Sequence, residues 1–142
     1  MTHIDEAKRI HLIGIGGCSM NGLAQILKNQ GHTVTGSDRE RTQFTDALDS
    51  QGIPYSVGHT GEYLKDADLV IYSAAIKPDN PERALARELG IAELERSVAL
   101  GQISERFQEV VAIAGCHGKT TITSMLSAAN ELSGTNATIH VG

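Results

Sequence analysis

The chain has 142 residues, 40% of them hydrophobic and 20% charged, the balance of a globular chain with a core. A formal net charge of −5 and an isoelectric point near 5.6 exclude a basic nucleic-acid footprint. An aromatic content of 4% with no Trp leaves no stacking platform for bases. No apolar run approaches the ~20 residues of a membrane span, and the N-terminus lacks the apolar centre of a signal peptide. A cytoplasmic protein with neither nucleic-acid nor membrane partners is expected.

In chain order, 9–15 reads as a first strand, with Ile10, Leu12, Ile13 and Ile15 apolar. A glycine turn follows, Gly14-Ile15-Gly16-Gly17-Cys18-Ser19-Met20, and then a helix over 19–29 with Met20, Leu23, Ala24 and Leu27 on one face. Gly31 supplies its stop. Residues 32–36 form a second strand running into Ser37-Asp38, and β-α-β implies parallel strands with a right-handed crossover. A helix marked by Phe44, Ala47 and Leu48 ends at Gly52. The strand over 53–57 contains Pro54, which cannot donate to a ladder, so an edge position is expected. After the loop 58–61, residues 68–73 read as a buried strand leading into Ala74-Ala75-Ile76. Asn80-Pro81-Glu82 carries a helix start: a capping side chain, proline at the first helical position and an acid in the first turn. That helix extends to Leu89, with Gly90 as its stop, and a short strand over 91–94 follows. A connecting helix over 96–106 places a domain boundary near Glu105, giving units of 1–105 and 106–142.

The second unit opens with Val110-Val111-Ala112-Ile113-Ala114, the composition of a strand buried on both faces. It breaks into Gly115-Cys116-His117-Gly118-Lys119-Thr120-Thr121, then a helix with Ile122, Met125, Leu126 and Ala129 at helical spacing. A last strand is expected over 137–141. Strand, glycine turn, Lys, hydroxyl and helix form the layout of a phosphate-binding loop, in which backbone N–H groups at a helix start face an anion. Lys119 would reach the β- and γ-phosphates of ATP, and the Thr120 hydroxyl would sit on Mg²⁺. The standard G-x-x-x-x-G-K-[ST] spacing would put its first glycine at Ile113; here it stands at Gly115, giving G-x-x-G-K-T-T. The plainer alternative is a glycine-rich turn opening an ordinary helix.

The first glycine turn, Gly14-x-Gly16-x-x-Ser19, nearly fits the dinucleotide fingerprint G-x-G-x-x-G. It follows a strand and opens a helix, and Asp38 lies 24 residues after Gly14, where an acid can hold ribose hydroxyls. A solvated turn residue is the alternative for Asp38, and the turn alone leaves NAD, FAD or a nucleotide sugar open. A dehydrogenase has no use for a second, lysine-bearing phosphate loop, so the two loops together suggest a nucleotide-linked substrate activated by ATP. Cys18 and Cys116 each lie inside a glycine loop without a C-x-x-C partner and read as reduced thiols. Cys116-His117 lacks the second ligand pair of a metal site.

Four stretches carry a resemblance: Gly14 through Ala24, Gly36-Ser37-Asp38, Ser73-Ala74-Ala75-Ile76 and Ala114 through Thr121. Together and in this order, across essentially the whole chain, they resemble the Mur ligases of peptidoglycan synthesis. The displaced glycine of the phosphate loop is shared with that family and its folylpolyglutamate synthetase relatives. The Gly-x-Gly-Gly-x-x-Met turn is similar to the branch that adds L-alanine to UDP-N-acetylmuramate, and to the muropeptide ligases of cell-wall recycling. The family usually carries Gly where Ser19 stands, which implies a narrower approach for the diphosphate.

The resemblance implies an α/β architecture: a Rossmann-like parallel-sheet domain that binds the UDP-sugar, followed by the start of a P-loop α/β domain that binds Mg-ATP. A third domain holding the amino acid would lie beyond Gly142, as would the central domain's own Mg²⁺ ligands. By matching position, Gly14, Gly16, Gly17, Cys18, Ser19 and Met20 would cradle the diphosphate, and Ser37 and Asp38 would meet the uridine side. Ser73, Ala74, Ala75 and Ile76, with His59, would line the same crevice. Gly115, Cys116, His117, Gly118, Lys119, Thr120 and Thr121 would bind ATP, with Lys119 catalytic. The implied reaction has two steps: the muramoyl carboxylate attacks ATP to give an acyl phosphate and ADP, and the amine of L-alanine then displaces phosphate. The 142-residue chain alone is expected to be inactive as a ligase. A nucleotide-binding module without catalysis is the competing expectation.

Overall fold

Five strands form one parallel sheet: β1 (Arg9–Ile13), β2 (Thr33–Asp38), β3 (Tyr55–Val57), β4 (Leu69–Tyr72) and β5 (Ala92–Glu95), in the order β3-β2-β1-β4-β5. The computed structural model describes residues 2–142. Every pairing is parallel, with Ile13 opposite Ser37 on one side and Tyr72 on the other. β3 lies at an edge, where Pro54 just ahead of it costs no ladder bond. The chain winds outward from β1 to β3, then crosses back to β4 and β5. That reversal leaves a crevice at the carboxyl ends of β1 and β4, the switch point of a doubly wound α/β sheet.

The alternation of side chains along β1 assigns the two faces. Ile10 and Leu12 point to the larger core, built with Leu23 and Leu27 of helix α1 (Cys18–Asn29), Leu48 of α2 (Gln43–Gln51), and Ala99 and Ile103 of α4 (Arg96–Ser104). Leu23 and Leu27 are fully buried, and trimming either to Ala would cost about 2–5 kcal/mol. Ile13 faces the smaller core with Leu64, Val70 and Ala86, the last from α3 (Pro81–Glu88). His11 shares that second face and is fully buried, a polar side chain inside an apolar strand.

Local chemistry fixes the helix ends. Thr42 caps α2 by accepting from Phe44 and Thr45, the Thr45 hydroxyl accepts in return from the Thr42 N–H, and Gly52 closes the helix at φ +65°. Asn80 caps α3 by accepting from Glu82 and Arg83, with Pro81 at the first helical position.

From Glu105 to Gly142 no residue is buried. The helix after the second glycine loop is present as α5 (Lys119–Ser133), which ends on Gly134 at φ +72°. The strands expected over 110–114 and 137–141 do not form. A strand requires a neighbour for its N–H and C=O groups, and among the described residues neither segment has one. The apolar faces of Val110, Val111, Met125 and Leu132 are correspondingly exposed.

Candidate functional site: two open helix starts

The two glycine corners share one property. At α1 the first backbone acceptor in use is the Gly17 carbonyl, which takes the Asn21 N–H; at α5 it is the Gly118 carbonyl, which takes the Ile122 N–H. Neither helix has a side-chain cap. The N–H groups of Cys18, Ser19 and Met20, and those of Lys119, Thr120 and Thr121, are therefore open donors. α2 and α3 close theirs with Thr42 and Asn80. α4 is also uncapped but starts from Glu95, whose acid repels a second anion. Two helix starts with bare amides and the positive end of the helix dipole remain.

The first corner is held by β2. The Ser37 carbonyl accepts from Gly14 at 2.8 Å and Ile15 at 3.0 Å. The Asp38 carboxylate accepts the Gly16 N–H at 2.8 Å, and the Thr42 hydroxyl donates to the Gly16 carbonyl at 2.9 Å. Gly16 has no room for a side chain: a Cβ there would lie 2.8 Å from Asp38 Oδ2. Gly14 requires its φ of +87° for the turn, and Ile76 and Ser73 lie within 4 Å of where its Cβ would be. The Ser73–Ile76 turn after β4 thus closes on the corner after β1, with Ala74 and Ala75 exposed. Within the first turn of α1, Gly17 and Cys18 are exposed, while Met20 sinks into the core and offers only its backbone. The Ser19 hydroxyl is engaged, accepting from Arg96 and lying 3.0 Å from His140 Nε2.

Two expected contacts take a different form. The Ser37 side chain is fully buried and donates to Glu82 on the far face of the sheet, so only its carbonyl serves the corner. His59 turns Nδ1 to Ser37 and Glu82, each at 3.2 Å. Glu82 is the hub of this buried network: it also accepts the Gly61 N–H at 3.0 Å and faces His11 Nε2 at 3.6 Å. Burial pushes the Glu82 carboxyl up, but the nearby His11 imidazole and hydrogen bonds from Ser37 and Gly61 outweigh it, so the carboxyl sits below its ordinary 4.5. Nothing in the sequence pointed to Glu82 beyond its place in a helix first turn. The signal for His11 was its position between Ile10 and Leu12 in an otherwise apolar strand.

At the second corner, Gly115 takes φ +150° and Gly118 φ +77°. Lys119 Nζ donates to the Gly115 carbonyl, so the lysine folds over its own loop. Thr123 bonds back to the Lys119 carbonyl at 2.8 Å. Lys119 and Thr120 line a cavity of about 190 Å³ shared with Arg96 and His140. A larger cavity of about 470 Å³ runs along β3 between Arg41, Tyr55 and Tyr63 and includes no residue of either corner. Among the described residues no group of three His, Cys, Asp or Glu side chains could hold a metal ion. None of their helices is long and apolar enough to cross a membrane.

The profile of the Mur ligase family, catalytic domain, matches residues 9–108. The UDP-N-acetylmuramate–L-alanine ligase of Acetivibrio thermocellus is 51% identical over 138 residues, which is 97% of this chain and 29% of that protein. The ligase of the same name from Clostridium beijerinckii is 48% identical, with 97% and 30% covered. The crystal structure of the UDP-N-acetylmuramate–alanine ligase of Thermotoga maritima superposes with a TM-score of 0.83 at 35% identity, covering 87% of this chain and 29% of that one. A murein peptide ligase from Psychrobacter arcticus gives 0.82 at 31% identity, covering 89% and 27%. The chain spans about three tenths of the length of these relatives. On the family profile, the relatives and the shared sheet, this chain belongs to the Mur ligase family.

Proposed function

We propose that the chain is the N-terminal part of an ATP-dependent ligase that joins L-alanine to UDP-N-acetylmuramate. The observation that carries this reading is the pair of uncapped, glycine-led helix starts, one at the switch point of the sheet and one bearing Lys119. Residues 1–105 would form the UDP-sugar domain and 106–142 the opening of the ATP domain. The amides of Cys18, Ser19 and Met20 would take the diphosphate, with Gly16 held open for it by Asp38 and Thr42. The amides of Lys119, Thr120 and Thr121 would take the ATP phosphates, with the Lys119 ammonium on the transferred γ-phosphoryl group.

The residues fit Mg²⁺ arriving with ATP. Thr120 is exposed in the first turn of α5, and its hydroxyl makes no hydrogen bond among the described residues, so it would be free to hold a cation that arrives with the phosphates. Mg²⁺ would neutralise phosphate charge there; the chain supplies the hydroxyl, the lysine and the amides.

The test is L-alanine-dependent phosphate release from the full-length protein with UDP-N-acetylmuramate and ATP. Absence of turnover with L-alanine and turnover with a peptide instead would favour a murein peptide ligase, a reading supported by the nearly equal superposition on the Psychrobacter enzyme. No turnover with either, alongside tight nucleotide binding, would favour a non-catalytic module. The 142-residue chain is expected to bind the UDP-sugar weakly in calorimetry and to release no phosphate.

A further inference from the structure

We infer that Arg96 binds the carboxylate that the sugar nucleotide brings to the ATP corner, as a second cation opposite Lys119. The inference rests on the ligase reading above and adds a residue to it. Arg96 is the first residue of α4, directly after β5, and its guanidinium donates to Ser19 Oγ in the first turn of α1. It is half-buried, and among the described residues it forms no ion pair, whereas Arg9, Arg39, Arg83, Arg87 and Arg106 do and Arg41, also without one, is exposed to water. A cation drawn partly out of water with no counter-charge is unfavourable unless an anion completes it.

The space for that anion is present. Arg96, Lys119, Thr120 and His140 line one cavity of about 190 Å³, and no Asp or Glu lines it. His140 adds no positive charge there: burial and then the field of Arg96 hold it below its ordinary value, leaving it neutral near pH 7. Ser19 engages one N–H of the guanidinium, Arg96 makes no other side-chain hydrogen bond among the described residues, and it lines the cavity. A planar fork suits a carboxylate with two parallel hydrogen bonds better than an ammonium does.

The position is chemically apt. The cavity borders the start of α5, proposed for ATP, and two of its lining residues, Arg96 and His140, meet Ser19 in the first turn of α1, proposed for the sugar nucleotide. In the first step a carboxylate oxygen forms a bond to the γ-phosphorus, and ADP leaves with the electron pair of the broken P–O bond. Two anions must approach for this, and a cation on each lowers their repulsion.

The experiment uses the full-length protein with Arg96→Gln and Arg96→Lys. The expected result is a rise of ten-fold or more in KM for UDP-N-acetylmuramate with Arg96→Gln, and partial recovery with Arg96→Lys. KM for ATP and competitive inhibition by UDP, which has no carboxylate, should stay within two-fold of wild type. An unchanged KM for UDP-N-acetylmuramate overturns the inference. So does an equal loss of UDP inhibition, which would place Arg96 on the diphosphate or in the support of α1. If the wild-type protein does not turn over UDP-N-acetylmuramate at all, the ligase reading fails instead.

Discussion

The Asp38 carboxylate at the end of β2 accepts the Gly16 N–H of the first glycine corner at 2.8 Å. The acid expected to meet the nucleotide is thus bonded to the loop that would hold it. Asp38→Ala leaves a buried backbone donor without a partner, at a cost of about 1–3 kcal/mol. Gly16→Ala places a Cβ 2.8 Å from Asp38 Oδ2 and 3.1 Å from Thr42 Oγ1, and so pushes against the same bond from the other side. Both variants are expected to lower the urea midpoint of the 142-residue chain and to weaken UDP-sugar binding in calorimetry. A variant that lost stability and bound the ligand as well as wild type would separate Asp38 from the site.

Gly36 carries the same constraint into the sheet. It lies in the middle of β2, and a Cβ there would meet the Ile15 side chain at 2.5 Å and the Leu12 carbonyl at 2.8 Å. The carbonyl cannot move without breaking the β1–β2 pairing, and Ile15 belongs to the first corner. Gly36→Ala is expected to destabilise by about 1–3 kcal/mol through overpacking, read from thermal or urea unfolding. Gly31→Ala serves as the contrast: its Cβ would meet nothing within 4 Å, so any cost there comes from its φ of +96° alone.

Lys119 is exposed, and its ammonium touches only the Gly115 carbonyl within its own loop. Lys119→Ala should therefore leave the unfolding midpoint of the 142-residue chain within about 0.5 kcal/mol of wild type. In the full-length protein it should lower kcat by about 10³-fold or more, the scale of removing charge from a transferring phosphoryl group. Retained phosphate release would count against the phosphate-loop reading of the second corner.

The five strands, their order along the chain and the edge position of β3 were legible because apolar runs, glycine stops and Pro54 are local signals. The Asn80-Pro81 helix start was legible for the same reason. The strands at 110–114 and 137–141 were not, because a strand exists only with a neighbour and composition does not report one. The glycine corners were legible as motifs, but the side-chain partners were not. Arg96 meets Ser19 across 77 positions and Glu82 meets Ser37 across 45, and no spacing rule connects residues so far apart. Strand alternation turns the Ser37 hydroxyl to the side of the sheet opposite the corner, and the corner is met by its carbonyl instead, a division between side chain and backbone that the Gly36-Ser37-Asp38 motif does not report.

Glu82 sets how this domain responds to acid. Its carboxylate is nearly fully buried and accepts from Ser37, His59 and Gly61, tying α3 to the end of β2 and to the loop after β3. Hydrogen bonding and the His11 field hold it below 4.5 against the opposing effect of burial. The folded pKa is thus lower than the unfolded one, and the unfolded chain binds the proton more tightly. Stability from this carboxylate is present in full above an unfolded pKa of about 4.3 and is lost as pH falls through the folded value. Urea midpoints should accordingly decline below about pH 4.5. Glu82→Gln keeps the shape but cannot accept from all three donors with charge, and should cost about 2–4 kcal/mol near pH 7. Because Gln does not titrate, the variant should also show a flatter decline between about pH 4.5 and 3 than wild type. Parallel pH profiles for the two proteins would place the acid sensitivity elsewhere, with Asp68 the next carboxylate to test, since its bonds from Arg9 and Lys8 also hold it below its ordinary value.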